Sequence, residues 1–97
     1  MIVSLDETKE WLRIEHNDED GTIQKLINAA EKYLKNATGN TFDSSNELAQ
    51  LFCLVLIADW YENREMIGKV NDKIRPTVDS ILAQLSYCYE PQEGGTS

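Results

Sequence analysis

The sequence has few basic residues and no long apolar run, and each shortage excludes a class of protein. Only 9 Lys and Arg stand against 17 Asp and Glu, which gives a net charge of -8. Nucleic-acid binding driven by phosphate neutralisation needs a basic face, and docking on anionic lipid needs one too, so both are disfavoured. No apolar run approaches the ~20 residues that span a bilayer, so we expect no membrane partner.

Cysteine is also scarce, and its placement argues against a metal centre or a disulfide framework. The two cysteines, Cys53 and Cys88, lie far apart and form no paired metal motif. Cys53 stands in the apolar run from Leu51 to Ile57, where a reduced cysteine behaves as a small hydrophobic residue. We predict two structural thiols that stay reduced in the cytoplasm.

Motifs for catalysis are missing. The sequence has no glycine-rich phosphate loop, no nucleophile elbow and no paired-histidine helix. The only histidine, His16, begins a run that resembles half of a calcium loop, but Ile27 stands where that loop needs a bidentate Glu. We therefore expect a protein that is not an enzyme and has no metal and no cofactor. A catalytic triad assembled from distant residues remains an alternative.

The length and composition fit one soluble domain. The chain has 97 residues, of which 41% are hydrophobic, and apolar positions recur at helical spacing almost throughout. We predict an all-α fold, a small bundle of about four helices. The helical domain is expected to cover residues 1–89, and residues 90–97, which lack an apolar anchor, are expected to form a disordered tail.

Capping residues mark the first two helices. Ser4 followed by Glu7 is a capping box, which predicts a helix over about residues 5–13. Asn17 is the predicted cap of a second helix over about residues 18–38, and the glycine that follows this range is expected to end it.

The second half predicts two more helices and a loop. Ser44 and Glu47 form another capping box, ahead of a third helix over about residues 45–64 that is apolar nearly all round. Proline at position 76 suits the start of a fourth helix, which runs to about Tyr87. The segment 64–75 between them has no helical stripe. It is predicted to be a long loop, with the hypothesis that it is mobile in the free protein and ordered on assembly.

The helical stripes also predict the core, because they have nowhere else to pack. Six residues are expected to be buried together: Leu26, Leu34, Leu51, Val55, Ile81 and Leu82.

Charge is distributed unevenly along the chain. Residues 6–20 are mainly acidic and residues 64–75 are mainly basic. The simplest interpretation is two solvated segments. The alternative is that they form complementary patches between copies of the protein. On this alternative the interface residues are Glu15, Asp18, Glu19, Arg64, Met66, Ile67, Lys69, Lys73 and Arg75.

Four stretches resemble the bacteriophage head-tail connector (adaptor) proteins, which include prophage-encoded members. The opening from Ser4 to Ile14, SLDETKEWLRI, is similar to the first helix of that family. The stretch from Trp60 to Glu65, WYENRE, is similar to the family signature at the end of its central helix, and is the most specific part of the match. The run from His16 to Ala30 is similar to the family's acidic connector and second helix, and the run from Val78 to Leu85 is similar to its final helix. The resemblance therefore covers roughly residues 3–89.

The resemblance implies a structural role in the virion. Copies would form a ring beneath the portal, continue the DNA channel, and offer a surface to the next neck or tail component. DNA would pass through without sequence-specific binding, and assembly would take place in the host cytoplasm. A ring needs one face of a subunit to meet a different face of the next, and an acidic and a basic segment supply such a pair.

Another class of protein also fits the acidic composition. A small DNA mimic that inhibits a host DNA-binding protein would carry a negative charge of this kind. Such mimics present acids along an exposed face, however, and three lysines interrupt the second helix: Lys25, Lys32 and Lys35.

Overall fold

In this computed structural model, which describes residues 2–87, helices build the whole bundle. The elements are α1 (Leu5–Leu12), α2 (Asp20–Thr38), α3 (Glu47–Glu62), a short 3-10 helix (Arg64–Met66) and α4 (Arg75–Tyr87). Residues 2–87 contain no strand, so the predicted all-α fold is confirmed, with its long connection between α3 and α4. Cys88 and the predicted tail, 90–97, lie outside the described residues.

The capping box predicted for α1 is present. The Glu7 amide donates to the Ser4 hydroxyl and the Ser4 amide donates to the Glu7 carboxylate, both at 3.0 Å. These bonds satisfy backbone donors that a helix start leaves without partners. At its other end α1 stops one residue earlier than predicted, where Arg13 adopts a left-handed conformation with φ 61°.

The predicted cap of α2 is wrong. The helix begins at Asp20, and Asn17 instead accepts a hydrogen bond from the Lys9 ammonium at 2.6 Å. Lys9 also pairs with Asp20 at 2.8 Å, so one α1 side chain holds both the connector and the start of α2. The predicted end is confirmed, since Gly39 has φ 75° and its amide closes on the Lys35 carbonyl.

The predicted cap of α3 is wrong as well. Asn46, not Ser44, accepts a hydrogen bond from the Ala49 amide at 3.0 Å and begins the helix. The two residues that follow Asp43 form a local turn ahead of the helix. The Asp43 carboxylate stabilises this turn by accepting hydrogen bonds from both the amide and the hydroxyl of Ser45. This local turn keeps the chain out of the helix until Asn46.

α3 is the centre of the bundle and contacts every other helix. Its inward face packs on α2, where the Trp60 ring meets Tyr33 at a centroid distance of 6.3 Å. The residues that α3 buries are Ala49, Phe52, Cys53, Leu56, Ile57 and Trp60. α4 adds Val78, Ile81 and Leu85 to the same core.

Of the six predicted core residues, three are buried as expected, two are only partly buried and one is wrong. Leu26, Leu34 and Ile81 are buried, and Val55 and Leu82 are half-buried against the core. Leu51 is 37% exposed. Because α3 is apolar on every side, its periodicity does not identify the inward face, and Leu51 lies on the outward one.

The segment ahead of α1 is fastened to α2. Ile2 and Val3 are buried, and their amides donate to the Glu31 carboxylate at 2.6 Å and 3.4 Å. Gln50 donates to the Ile2 carbonyl from the other side. The Glu31 carboxylate therefore satisfies two backbone amides that lie outside any helix and have been removed from water.

Two leucines of α3, Leu51 and Leu56, allow a matched test of this packing. We expect Leu56→Ala to lower the free energy of unfolding by about 2–5 kcal/mol, because it leaves a cavity in a fully buried site. Leu51→Ala, the same change on the outward face, should cost less than about 1 kcal/mol. Urea unfolding of both variants measures the difference. Equal losses would mean that the helix is rotated from the orientation described.

The Cys53 thiol predicts a loss of stability at high pH. Burial, with a smaller contribution from Glu31, raises the pKa of this thiol from 9.0 to about 12. The folded protein therefore keeps a proton that the unfolded chain releases, and the stability from this site is complete below pH 9. It should decline as the pH rises from 9 towards 12. Cys53→Ala should remove that part of the slope in unfolding measured against pH.

Candidate assembly surface

The acidic connector, residues 13–19 between α1 and α2, uses part of its charge within the chain. Glu19 pairs with Arg64 at 3.4 Å, and the Arg64 guanidinium lies 5.5 Å from the centre of the Tyr61 ring. A hydrogen bond to the Glu19 carboxylate raises the pKa of the Tyr61 phenol. Two of the predicted interface residues, Glu19 and Arg64, therefore contact each other in one molecule.

Two other acidic residues of the connector are available to a partner. Glu15 and Asp18 are exposed and have no ion pair among residues 2–87. The contact between Glu19 and Arg64 places this connector at the same end of the bundle as the C-terminal end of α3. Exposed pairs of this kind are each worth about 0–1 kcal/mol, so they select an arrangement more than they hold it together.

The basic loop, residues 64–75, likewise contains some cations that are paired within the chain and others that are not. Arg75 donates to the Asp72 carboxylate at 3.4 Å and to the Val70 carbonyl at 3.1 Å, so it stabilises its own loop. Lys69 and Lys73 are exposed, and the described part of the chain offers their ammonium groups no carboxylate within ion-pair distance. These two lysines are the cations of the loop that remain available to a partner.

The basic loop is anchored to α3. The Trp60 indole N–H donates to the Lys69 carbonyl at 2.8 Å, and Asn71 donates to the Asp59 carboxylate at 3.3 Å. Val70 is buried and Met66 packs against the core. These contacts favour a loop that is ordered in the isolated chain over the mobile loop of the sequence-based hypothesis.

Residues 66–69 form a tight turn, called here the Ile67 turn. The Lys69 amide donates to the Met66 carbonyl at 2.8 Å. Ile67 has φ -56° and ψ 126°, and Gly68 has φ 87°. This is a type II β-turn, which requires a positive φ at its third position and so favours glycine there. Ile67 occupies the corner and is 43% exposed.

The outward face of α3 is apolar and only partly covered. Leu51 is exposed, and Leu54 and Val55 are half-buried beside it. Trp11 of α1 lies against this face and is 48% exposed, a large apolar area for a residue outside the core. Sequence reasoning missed Trp11, although the all-apolar character of α3 already indicated that one of its faces needs a cover.

A groove runs along one side of this tryptophan and is called here the Trp11 groove. Its lining residues come from α1, α3 and the basic loop: Trp11, Val55, Ala58, Asp59, Glu62 and Ile74. Asp59 accepts hydrogen bonds from Asn63 and Asn71 through Oδ1, while its Oδ2 is buried without a hydrogen bond among the described residues. Neither Asp59 nor Glu62 has a cation within ion-pair distance in residues 2–87.

Residues 2–87 contain no group of three or more His, Cys, Asp or Glu placed to hold a metal ion. Side chains in the segment from His16 to Gly21 make contacts within the chain instead. The Asp18 amide donates to the His16 ring at 3.4 Å, and Asp20 pairs with Lys9. Among the described helices, none combines the length and apolar character needed to cross a membrane.

An open apolar helix face with charged residues around it is typical of a subunit that packs against another protein. The chain belongs to the phage gp6-like head-tail connector proteins, whose family model matches residues 2–92. It is therefore a structural protein of the phage particle, as the resemblance of the opening and of the WYENRE stretch indicated. Comparison with curated proteins and with solved structures gave no match.

The two tryptophans allow a matched test of the anchored loop. Trp60→Phe removes the N–H that holds the Lys69 carbonyl, so hydrogen exchange at the Lys69 amide should accelerate at least about tenfold. Trp11→Phe, a change on the outward face, should leave that amide unaffected. Exchange followed by NMR gives both rates. A Lys69 amide that already exchanges without protection in the unaltered protein would show that the loop is mobile after all.

Proposed function

We propose that this chain is a ring-forming connector subunit beneath the portal of a tailed phage. The ring would continue the DNA channel and offer its far side to the next neck or tail protein. We further propose that it has no catalytic activity and that it assembles in the host cytoplasm. The membership of the family supports the role, and the open apolar face of α3 is the observation that carries the self-assembly.

The charge of the chain suits a channel for DNA. A net charge of -8 disfavours the counterion release that makes proteins adhere to DNA. A wall of this sign would let the duplex slide past without a sequence-specific contact. The DNA-mimic alternative is less well supported, because Lys25, Lys32 and Lys35 are exposed on α2 and interrupt any acidic surface there.

Between neighbouring copies, we propose that the acidic connector of one subunit faces the basic loop of the next. Glu15 and Asp18 are the open acids, and Lys69 and Lys73 are the open cations. Glu19, Arg64 and Arg75 belong to the proposed interface as residues that shape the two surfaces, since each is already paired within its own chain.

Electron microscopy of the protein mixed with the portal protein of the same phage tests this function. We expect closed rings on the portal. The double variant Lys69→Glu and Lys73→Glu should stay folded but assemble poorly, and the defect should change with salt because exposed charges are screened. The matched control is Lys25→Glu with Lys32→Glu, which changes the net charge equally on α2 and should assemble normally.

Compensating reversals of Glu15 and Asp18 to Lys should restore assembly to the Lys69 and Lys73 variant. If every variant is folded and the compensated one still fails, the pairing of these two segments is wrong. If the unaltered protein forms no ring with or without the portal, the proposed function itself is wrong.

A further inference from the structure

The Ile67 turn is an anchored apolar projection whose corner residue is not part of the core of its own chain. Its corner residue is 43% exposed, yet the turn is held by the hydrogen bond from Trp60, a fully buried residue, to the Lys69 carbonyl. A side chain on such a turn loses little further freedom when it is buried by a partner, which lowers the entropic cost of binding. An exposed isoleucine in this setting is therefore suited to insertion into an apolar site.

The Trp11 groove has the complementary character. Its walls are apolar at Trp11, Val55 and Ile74, and its carboxylates, Asp59 and Glu62, have no cation partner in residues 2–87. A ligand that matches this groove carries an apolar side chain with a cation close by. The Ile67 turn meets both requirements, since Lys69 follows two residues after Ile67 and is itself unpaired.

The projection is anchored to one side of α3, and the groove lies on the other. The turn is attached to Trp60, on the inward face of α3, while Glu62 and Ala58 carry the groove on the outward face. At 3.6 residues per turn, Trp60 and Glu62 point about 200° apart around the helix. Ile67 does not line the groove of its own chain. A contact between two such faces is heterologous, the kind that closes into rings.

The geometry points to a second copy of this chain as the occupant of the Trp11 groove, with the Ile67 corner of one copy inserted beside Trp11 of the next. This inference rests on the proposed ring and names the contact at its centre. Lys69 then lies on the carboxylate side of the groove. The apolar contact then has charged residues beside it, as is usual at the edge of an interface.

Cross-linking between two separately prepared proteins tests the contact. One carries Ile67→Cys and the other Ala58→Cys, both with Cys88→Ser. Cys53 is left in place because its thiol is buried and its pKa is raised to about 12, so it does not react near neutral pH. Under conditions in which rings form, a short bismaleimide should join the mixed pair into dimers. Neither protein alone should cross-link, and neither should a mixture of Ile67→Cys with Lys25→Cys.

A second pair of variants, with the native cysteines, keeps the result independent of cysteine chemistry. Ile67→Asp should weaken self-association at least about tenfold in analytical ultracentrifugation, whereas Ile67→Val, which keeps an apolar corner, should weaken it far less. Both should unfold like the unaltered protein, because the corner is exposed. Rings that form without the mixed cross-link, or that tolerate Ile67→Asp, overturn this contact and leave the proposed function standing. The absence of any self-association overturns both.

Discussion

Trp60 is the residue through which the core of this protein fixes its surface. Its ring is fully buried between α3 and α2, where it meets Tyr33 edge-on. Its N–H needs a partner once it leaves water, because a buried donor without one costs about 1–3 kcal/mol. The Lys69 carbonyl is that partner. The need to satisfy one indole therefore determines where the chain turns after α3, and with it where Ile67 stands.

Charge in this molecule has two uses that the sequence does not separate. The acidic connector and the basic loop appear in the sequence as opposite patches, and either an internal or an external pairing fits them. The structure shows that Glu19 and Arg64 pair within the chain while Glu15 and Lys73 remain open. Because each exposed pair contributes little free energy, the apolar face of α3 has to supply most of the attraction in any assembly.

Local chemistry explains which predictions from the sequence were right. The Ser4 capping box and the glycine that ends α2 depend on neighbouring residues only, and both are present. Asn17 and Ser44 fit the rules for helix caps, but a contact from Lys9 and a turn at Asp43 changed the outcome. Rules of short range give no information about such competing contacts.

The candidate site was less predictable than the fold, for a related reason. A helix that is apolar all round has no periodicity to show its inward face, so Leu51 was misplaced and the exposure of Trp11 was missed. The Ile67 turn depends on Gly68 for its positive φ, but its position depends on Trp60, nine residues before the Lys69 carbonyl that it binds. The sequence predicts a loop there and leaves its anchoring to the tertiary structure.

The residues that hold the Ile67 turn in place are different from the residue that it exposes, and this affects how the sequence of such a protein can diverge. Few substitutions are compatible with the fold at Gly68, because its φ is positive, or at Trp60, because its side chain is fully buried. The corner between them touches no core, and almost any side chain fits a type II turn there. Mutation can therefore change what the surface recognises without spending stability. A lineage of such subunits can acquire a new neighbour one residue at a time, while the helices beneath remain as they were.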